Sequence, residues 1–217
     1  MKNRKISVSS LPAGNQIDDQ IAYAKQVELA GADAYHVDVM DGKFVPATTI
    51  DYNATLAVKQ NTNLIIDVHL MCERPKRLIE KYVRAGADMI TVHAEAFRHA
   101  CSLKGVLRHI HRYNLLACLA IDLDTDVETI FPFLNCVDGV LVMSVKAGAG
   151  GQKFDPIALD KVRTLRAMDK NLLISVDGGV NADNAKEIWS AGADVVAVGS
   201  FVAKAKDKRQ AIIDLKR

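Results

Sequence analysis

The tetrapeptide Ala-Gly-Ala-Asp occurs three times in this chain, at 30–33, 85–88 and 191–194. Each copy follows a helical pattern, as Ile17, Ile21, Ala24 and Val27 make before the first, and precedes a β-rich run. Its glycine therefore reads as a left-handed cap that stops a helix and turns the chain into a strand. A junction used three times imposes alternation of helix and strand along the chain.

Continuing with that punctuation, strands are predicted at 5–9, 34–40, 64–70, 88–93, 116–121, 138–143, 172–177 and 194–198. Helical patterns fill 16–30, 52–60, 75–85, 98–113, 125–134, 156–168, 183–191 and 207–216, with a short extra helix through Phe201–Ala205. Runs such as Gly139-Val140-Leu141-Val142-Met143 and Val195-Val196-Ala197-Val198 are apolar on both faces, as strands between helices and a filled interior must be. Eight βα units in 217 residues predict an α/β fold, a (β/α)₈ TIM barrel of minimal size. A doubly wound open sheet competes, but no switch-point motif supports it. At 49% hydrophobic content, residues 1–217 are expected to form a single domain with one large core.

The strand at 34–40 spends one face on something other than packing. His36, Asp38 and Met40 share a side, and Val37 and Val39 the other. Asp67, His69 and Met71 repeat the pattern against Val68 and Leu70, and Ser175-Val176-Asp177-Gly178-Gly179 is a shorter instance. A lone strand histidine or aspartate is usually a hydrogen-bonded structural residue. His36, Asp38, His69 and Asp177 together, near the C-terminal ends of three strands where barrels keep their active sites, make the ligand set of a divalent metal.

Three glycine-rich turns follow late strands, at 143–152, 177–181 and Gly199-Ser200. One such cluster is an ordinary turn, whereas three on adjacent strand ends suit an anion held by main-chain N–H groups. The expected ligand is a small phosphorylated molecule whose other end reaches the metal. The 28 basic and 26 acidic residues are interspersed, which gives no support to nucleic-acid or membrane-surface partners. Cys72, Cys101, Cys118 and Cys136 form no CxxC pair or disulfide framework, and Met1-Lys2-Asn3-Arg4-Lys5 leads into a strand without an apolar signal. A cytoplasmic setting is expected. Barrel outer helices can support a homo-oligomer, and no stretch singles out an interface.

On these residues the chain resembles the ribulose-phosphate 3-epimerase family along essentially its whole length. The resemblance is carried by His36 through Pro46, Asp67 through Met71, Ala85-Gly86-Ala87-Asp88 with Thr91-Val92-His93-Ala94-Glu95, Gly150 through Phe154, and Val176 through Gly179. It implies a cytosolic (β/α)₈ barrel of the pentose phosphate pathway that interconverts D-ribulose 5-phosphate and D-xylulose 5-phosphate with one divalent metal, zinc, iron, manganese or cobalt. It further implies that His36, Asp38, His69 and Asp177 ligate the metal, and that Asp38 and Asp177 are the acid/base pair acting through an enediolate. Ser9, His69, Met40, Met71 and Met143 would contact substrate, and Gly148, Ala149, Gly150, Gly151, Gly178, Gly179, Gly199 and Ser200 would hold its phosphate end. Any single methionine reads first as core filling, and it is the set of three at strand ends that points to a pocket wall.

Three stretches depart from the family pattern. Ser7-Val8-Ser9 stands for Ser-Pro-Ser, Asp122-Leu123 for Asn-Pro, and Lys146-Ala147-Gly148-Ala149-Gly150-Gly151-Gln152 for Asn-Pro-Gly-Phe-Gly-Gly-Gln. Loss of the loop proline and phenylalanine should loosen a segment able to act as a lid, and Asp122 adds a carboxylate near the mouth. Two neighbouring readings share the metal and aspartate pattern or the barrel: D-allulose 6-phosphate 3-epimerase, and a non-catalytic sugar-phosphate-binding paralogue. The keto-gulonate-phosphate decarboxylases carry Asp-x-Lys-x-x-Asp, and Asp38-Val39-Met40-Asp41 lacks that lysine.

Overall fold

The computed structural model describes residues 4–49 and 52–217. Met1-Lys2-Asn3, which lead into the first predicted strand, lie outside them. Strands β1 (Lys5–Ser9), β2 (Ala34–Met40), β3 (Ile65–Met71), β4 (Met89–His93), β5 (Leu116–Ile121), β6 (Gly139–Met143), β7 (Leu173–Asp177) and β8 (Val195–Val198) pair in parallel in chain order. β8 then pairs with β1, with Ile6 opposite Val196, so the sheet is a closed barrel rather than an open one. Helices α1 (Ile17–Leu29), α2 (Tyr52–Asn61), α3 (Lys76–Arg84), α4 (Ala100–His111), α5 (Ile157–Met168), α6 (Ala182–Ala191), α7 (Ser200–Lys204) and α8 (Lys208–Leu215) alternate with the strands.

The alternation read from β2 and β3 holds in space. Val37, Val39, Val68 and Leu70 join the helix residues Val58, Ile79 and Tyr82 in one hydrophobic cluster between barrel and helices. The polar faces of both strands are left to the barrel interior. Strand and helix bounds fall within a residue or two of prediction, except at the segment predicted as a helix over 125–134. There the chain forms a 3₁₀ run, Val127–Cys136, with Pro132 inside it. Proline lacks the N–H and crowds the carbonyl four residues back, so the segment takes the tighter turn instead.

The repeated tetrapeptide has a structural role at each site. Gly31, Gly86 and Gly192 have φ of +97°, +86° and +117°, the left-handed cap expected. The aspartate that follows clips neighbouring strands together: Asp33 accepts from Ile6 N at 2.9 Å, Asp88 from Ile66 N at 2.7 Å and Asp194 from Ile174 N at 3.0 Å. Asp138, outside any tetrapeptide, accepts from Ala117 N at 2.8 Å. Every even-numbered strand is thus preceded by an aspartate bonded to the odd-numbered strand before it. Each carboxylate also meets a basic group: Lys5 and Lys216, Lys59, His111 or Arg166. This fourfold device lies at the N-terminal end of the barrel and leaves the opposite end to chemistry. Among the described residues no helix is long and apolar enough to cross a membrane.

Candidate metal centre and active site

Parallel pairing of β2 with β3 sets Asp38 beside His69, His36 beside Asp67 and Met40 beside Met71. Three polar or thioether layers therefore rise through one side of the barrel toward its C-terminal mouth. Asp177 ends β7, where the chain turns at Gly178 and Gly179. Ser144, fully buried, holds that turn by donating its hydroxyl to the carbonyls of Asp177 and Gly178.

One ligand atom each from His36, Asp38, His69 and Asp177 lies within 4.8 Å of all the others. His36 Nε2 is 3.4 Å from Asp38 Oδ1 and 3.7 Å from Asp177 Oδ2, and His69 Nδ1 is 3.3 and 3.7 Å from the same two oxygens. His36 Nε2 is buried and makes no hydrogen bond. A dry imidazole nitrogen without a partner is costly unless something else occupies that direction. The other ring nitrogen, Nδ1, lies 2.7 Å from the buried Asp67 carboxylate, the arrangement that orients a ligating histidine. Two nitrogens and two carboxylate oxygens converging on one point, one of them orphaned, fit a divalent cation.

The electrostatics divide the two aspartates. Burial and the nearby Asp38 and Asp67 charges push the Asp177 carboxyl up to about 7, against the pull of His36. Asp38 is as deeply buried, yet His36 and His69 hold it well below the usual carboxylate range, and Ser9 Oγ donates to its Oδ2 at 2.9 Å. Burial lowers His69 to about 4, while Asp67 and Asp38 overcome burial at His36 and raise it. Near neutral pH the cluster without metal thus pairs one ionised carboxylate with one that is half protonated.

Above the cluster opens a cavity of about 330 Å³. Asp38 and Asp177 form its floor together with Ser9, and Met40, Met71 and Met143 its apolar wall. Gly148, Ala149, Gly150, Gly151, Gly178, Gly179, Gly199 and Ser200 also line it, as do Lys146 and Gln152 from the same loop. His36 and His69, with no exposed surface, sit beneath the carboxylates rather than on the cavity wall. Gly179 shows why glycine stands there: at φ +62° its backbone lies so near the 152–154 segment that a Cβ would come within 2.3 Å of Phe154 N.

The altered loop is tied down. Ala147 N, a group that the family's proline lacks, donates to Asp122 Oδ1 at 3.2 Å, and Lys146 pairs with Asp124. Gln152 Nε2 closes the loop on itself by donating to the carbonyls of Lys146 and Ala149. Asp122 is anchored in turn. Its carbonyl and those of Leu123 and Thr125 accept from the buried Lys161 ammonium, and its N–H donates to Glu95. The extra carboxylate at the mouth therefore offsets the loosening expected from the missing proline.

Sequence reasoning placed Asp67 on the interior face and His93 and Glu95 in a family motif without giving any of them work. All three are wired to the cluster: Asp67 to His36, and His93 Nε2 to His69 Nε2 at 2.8 Å with Glu95 behind it. For Asp67 and His93 the available signal was β-strand parity together with polarity on a face that must be dry, whereas Glu95 stands in the 3₁₀ turn Ala94–Ala96 beyond β4, where parity gives no reading.

Fold and site define a class, a (β/α)₈ barrel with a buried two-histidine, two-aspartate centre under a glycine-lined cavity. Residues 5–203 match the model of the ribulose-phosphate 3 epimerase family, and the chain belongs to that family. It is 39% identical over 216 residues to ribulose-phosphate 3-epimerase of Bacillus subtilis strain 168, covering 97% of this chain and 95% of that one. It is 40% identical over 196 residues to the chloroplastic ribulose-5-phosphate-3-epimerase of Arabidopsis thaliana, covering 88% of this chain and 69% of the relative. Among solved structures, 3-keto-L-gulonate-6-phosphate decarboxylase from Vibrio cholerae O1 biovar El Tor superposes with a TM-score of 0.75 at 18% identity, over 100% of this chain and 96% of that one. That likeness is one of fold.

Proposed function

We propose that this protein is an isomerase that inverts C3 of a ketose phosphate, converting D-ribulose 5-phosphate to D-xylulose 5-phosphate. The observation that carries the reading is the convergence of His36 Nε2, His69 Nδ1 and one oxygen each of Asp38 and Asp177 at the floor of a cavity walled by glycines. Membership of the family supports the same chemistry. Inversion requires removing a weakly acidic proton beside a carbonyl and returning one to the opposite face.

The donor set suits zinc, iron, manganese or cobalt equally. A divalent cation held there supplies Lewis acidity to the substrate oxygens, worth several kcal/mol toward that proton removal. Asp38, kept ionised and fixed by the Ser9 hydroxyl, takes the C3 proton from one face. Asp177, whose carboxyl the cluster without metal already pushes up, delivers a proton to the other face, and the roles exchange in the reverse direction. Met40, Met71 and Met143 exclude water from the carbanionic centre without offering it a strong donor. Main-chain N–H groups at 148–151, 178–179 and 199–200 take the phosphate. Residues 1–217 act as one domain, in the cytoplasm.

One observation favours a second substrate. Ala149 lines the cavity where the family has phenylalanine, which leaves room for the additional carbon of D-allulose 6-phosphate. The test is deuterium wash-in at C3, followed by proton NMR, with metal-loaded protein in D₂O and each sugar phosphate in a separate tube. Exchange with epimer formation identifies the substrate. Binding with exchange in neither tube would overturn the catalytic reading in favour of a sensor.

A further inference from the structure

His69 faces a requirement that His36 meets more simply. Its Nδ1 looks toward Asp38 and Asp177, so it can offer a lone pair there only as the neutral ring with its proton on Nε2. The ring has no exposed surface, and its Nε2 lies against His93 Nε2 at 2.8 Å. Two nitrogens at that distance share one proton, and which ring carries it decides where the other lone pair points.

Two arrangements of neutral rings satisfy that contact. In the first, His93 donates from Nε2, His69 carries its proton on Nδ1 toward Asp38, and the bare His93 Nδ1 faces the Glu95 carboxylate. In the second, His69 donates from Nε2 to His93, and His93 donates from Nδ1 to Glu95 Oε2, 3.2 Å away. The first donates from His69 Nδ1 to Asp38 Oδ1, 3.3 Å away, and sets the His93 lone pair against Glu95. The second makes the charge-assisted bond to Glu95 instead and leaves His69 Nδ1 bare toward Asp38, an opposition that a cation at the cluster removes, so how firmly Glu95 is held tips the balance.

Glu95 is well placed to impose this choice. Its Oε1 accepts from Asp122 N at 2.8 Å and from the Thr125 hydroxyl, so the carboxylate cannot swing away. These donors and His93 outweigh burial and lower its pKa to about 2. The His93 ring is held from above by Phe44, whose centroid is 4.9 Å away, and Phe44 is positioned by its N–H bond to Asp41. The two histidines of the centre are thus set by different devices: Asp67 acts directly on His36 Nδ1, and Glu95 acts on His69 through a second imidazole.

We propose that Glu95 and His93 are positioning residues that lock His69 in the tautomer protonated at Nε2, presenting Nδ1 to the metal centre. The proposal rests on the reading of His69 as a metal ligand. Two readouts are therefore needed, one of which requires no metal. Long-range ¹H–¹⁵N correlation spectra of the metal-free, ¹⁵N-histidine-labelled protein report the His69 tautomer. Competition with a chelator reports affinity for zinc, manganese and cobalt.

Wild type is expected to hold a larger fraction of His69 as the Nε2–H tautomer than Glu95→Gln does. Glu95→Gln replaces the fixed anion with an amide that can turn and donate to His93 Nδ1, so His69 should shift toward Nδ1–H and metal affinity should fall about 10- to 100-fold. His93→Gln retains an acceptor for His69 Nε2–H and should recover most of the affinity lost in His93→Leu. A folded Glu95→Gln and a folded His93→Leu with wild-type tautomer and wild-type affinity would overturn the proposal. If wild type binds none of the three ions, the metal reading fails, while the tautomer spectra of wild type and Glu95→Gln still decide the relay.

Discussion

Replacing Gly179 by alanine separates two costs that the structure lets one calculate. The first is conformational: φ is +62°, and an L-residue held in the left-handed region loses about 1–2 kcal/mol. The second is steric, because the new Cβ would stand 2.3 Å from Phe154 N and 2.8 Å from both Gln152 O and Phe154 Cα. All three are backbone atoms, so no rotamer change relieves the contact, and the 152–154 segment must retreat by about 1 Å to reach ordinary van der Waals distance. Gly31→Ala is the control. Its φ is +97° at a left-handed helix cap and nothing lies within 4 Å of the added carbon, so it carries the conformational cost alone.

For a chain of this size each 1 kcal/mol lowers Tm by roughly 2–4 °C, so Gly31→Ala, at about 1–2 kcal/mol, should lose that much to twice as much. Gly179→Ala should lose at least twice as much. Because the displaced segment belongs to the cavity wall, kcat/KM for C3 epimerisation should also fall about 100-fold, the usual result of a misplacement near 1 Å. Gly31→Ala should leave it within a factor of about two. Scanning calorimetry and the coupled epimerase assay measure both. Equal Tm and equal kcat/KM for the two variants would refute the argument that close backbone approach is what demands glycine at 179.

Asp177→Asn should abolish turnover with the fold retained by circular dichroism, and near-normal turnover would remove the two-aspartate mechanism. In protein stripped of metal, the Asp177 carboxyl raised to about 7 and the raised His36 both bind protons more tightly folded than unfolded. Their contribution to stability is complete below the unfolded carboxyl pKa for Asp177, and below the ordinary imidazole value for His36; it is lost as pH rises through the folded values. His69, lowered to about 4, contributes the opposite way and offsets Asp177 up to the ordinary imidazole value, so calorimetric Tm of the stripped protein should decline chiefly from about pH 6.5 to 8, with a shallower slope in the metal-loaded protein; an equal slope in both would rule out this linkage. Asp88→Ala takes the acceptor from Ile66 N in the strand clip and should cost about 1–3 kcal/mol in urea denaturation, while Asp88→Asn, which keeps an oxygen, should cost less.

The elements were legible because their signals are local. Helix caps, β-branched runs and turn glycines act within a few residues, so Ala-Gly-Ala-Asp announced three junctions correctly. The one misread segment, Val127–Cys136, failed for a local reason too, since Pro132 outweighed an apolar helical pattern. Strand parity was equally reliable: it set His36, Asp38, His69 and Met40 facing inward, and a barrel of eight units then had to bring the ends of β2, β3 and β7 around one mouth.

The sequence by itself thus determined the alternation, the closed architecture expected from it, and the polar residues given to the interior. The order of pairing and its register were decided by tertiary structure, and with them every contact between strands. Asp67 meets His36 because parallel pairing sets them opposite each other, and His93 reaches His69 diagonally, from two residues beyond Thr91, its register partner. The ionisation of Asp38 and Asp177 belongs there as well. Two aspartates that look alike in the chain differ in folded pKa because one is surrounded by imidazoles and the other by burial and like charge. Such fields depend on distances of a few ångströms between residues as many as 139 positions apart, from Asp38 to Asp177, and closure of the barrel is what sets those distances.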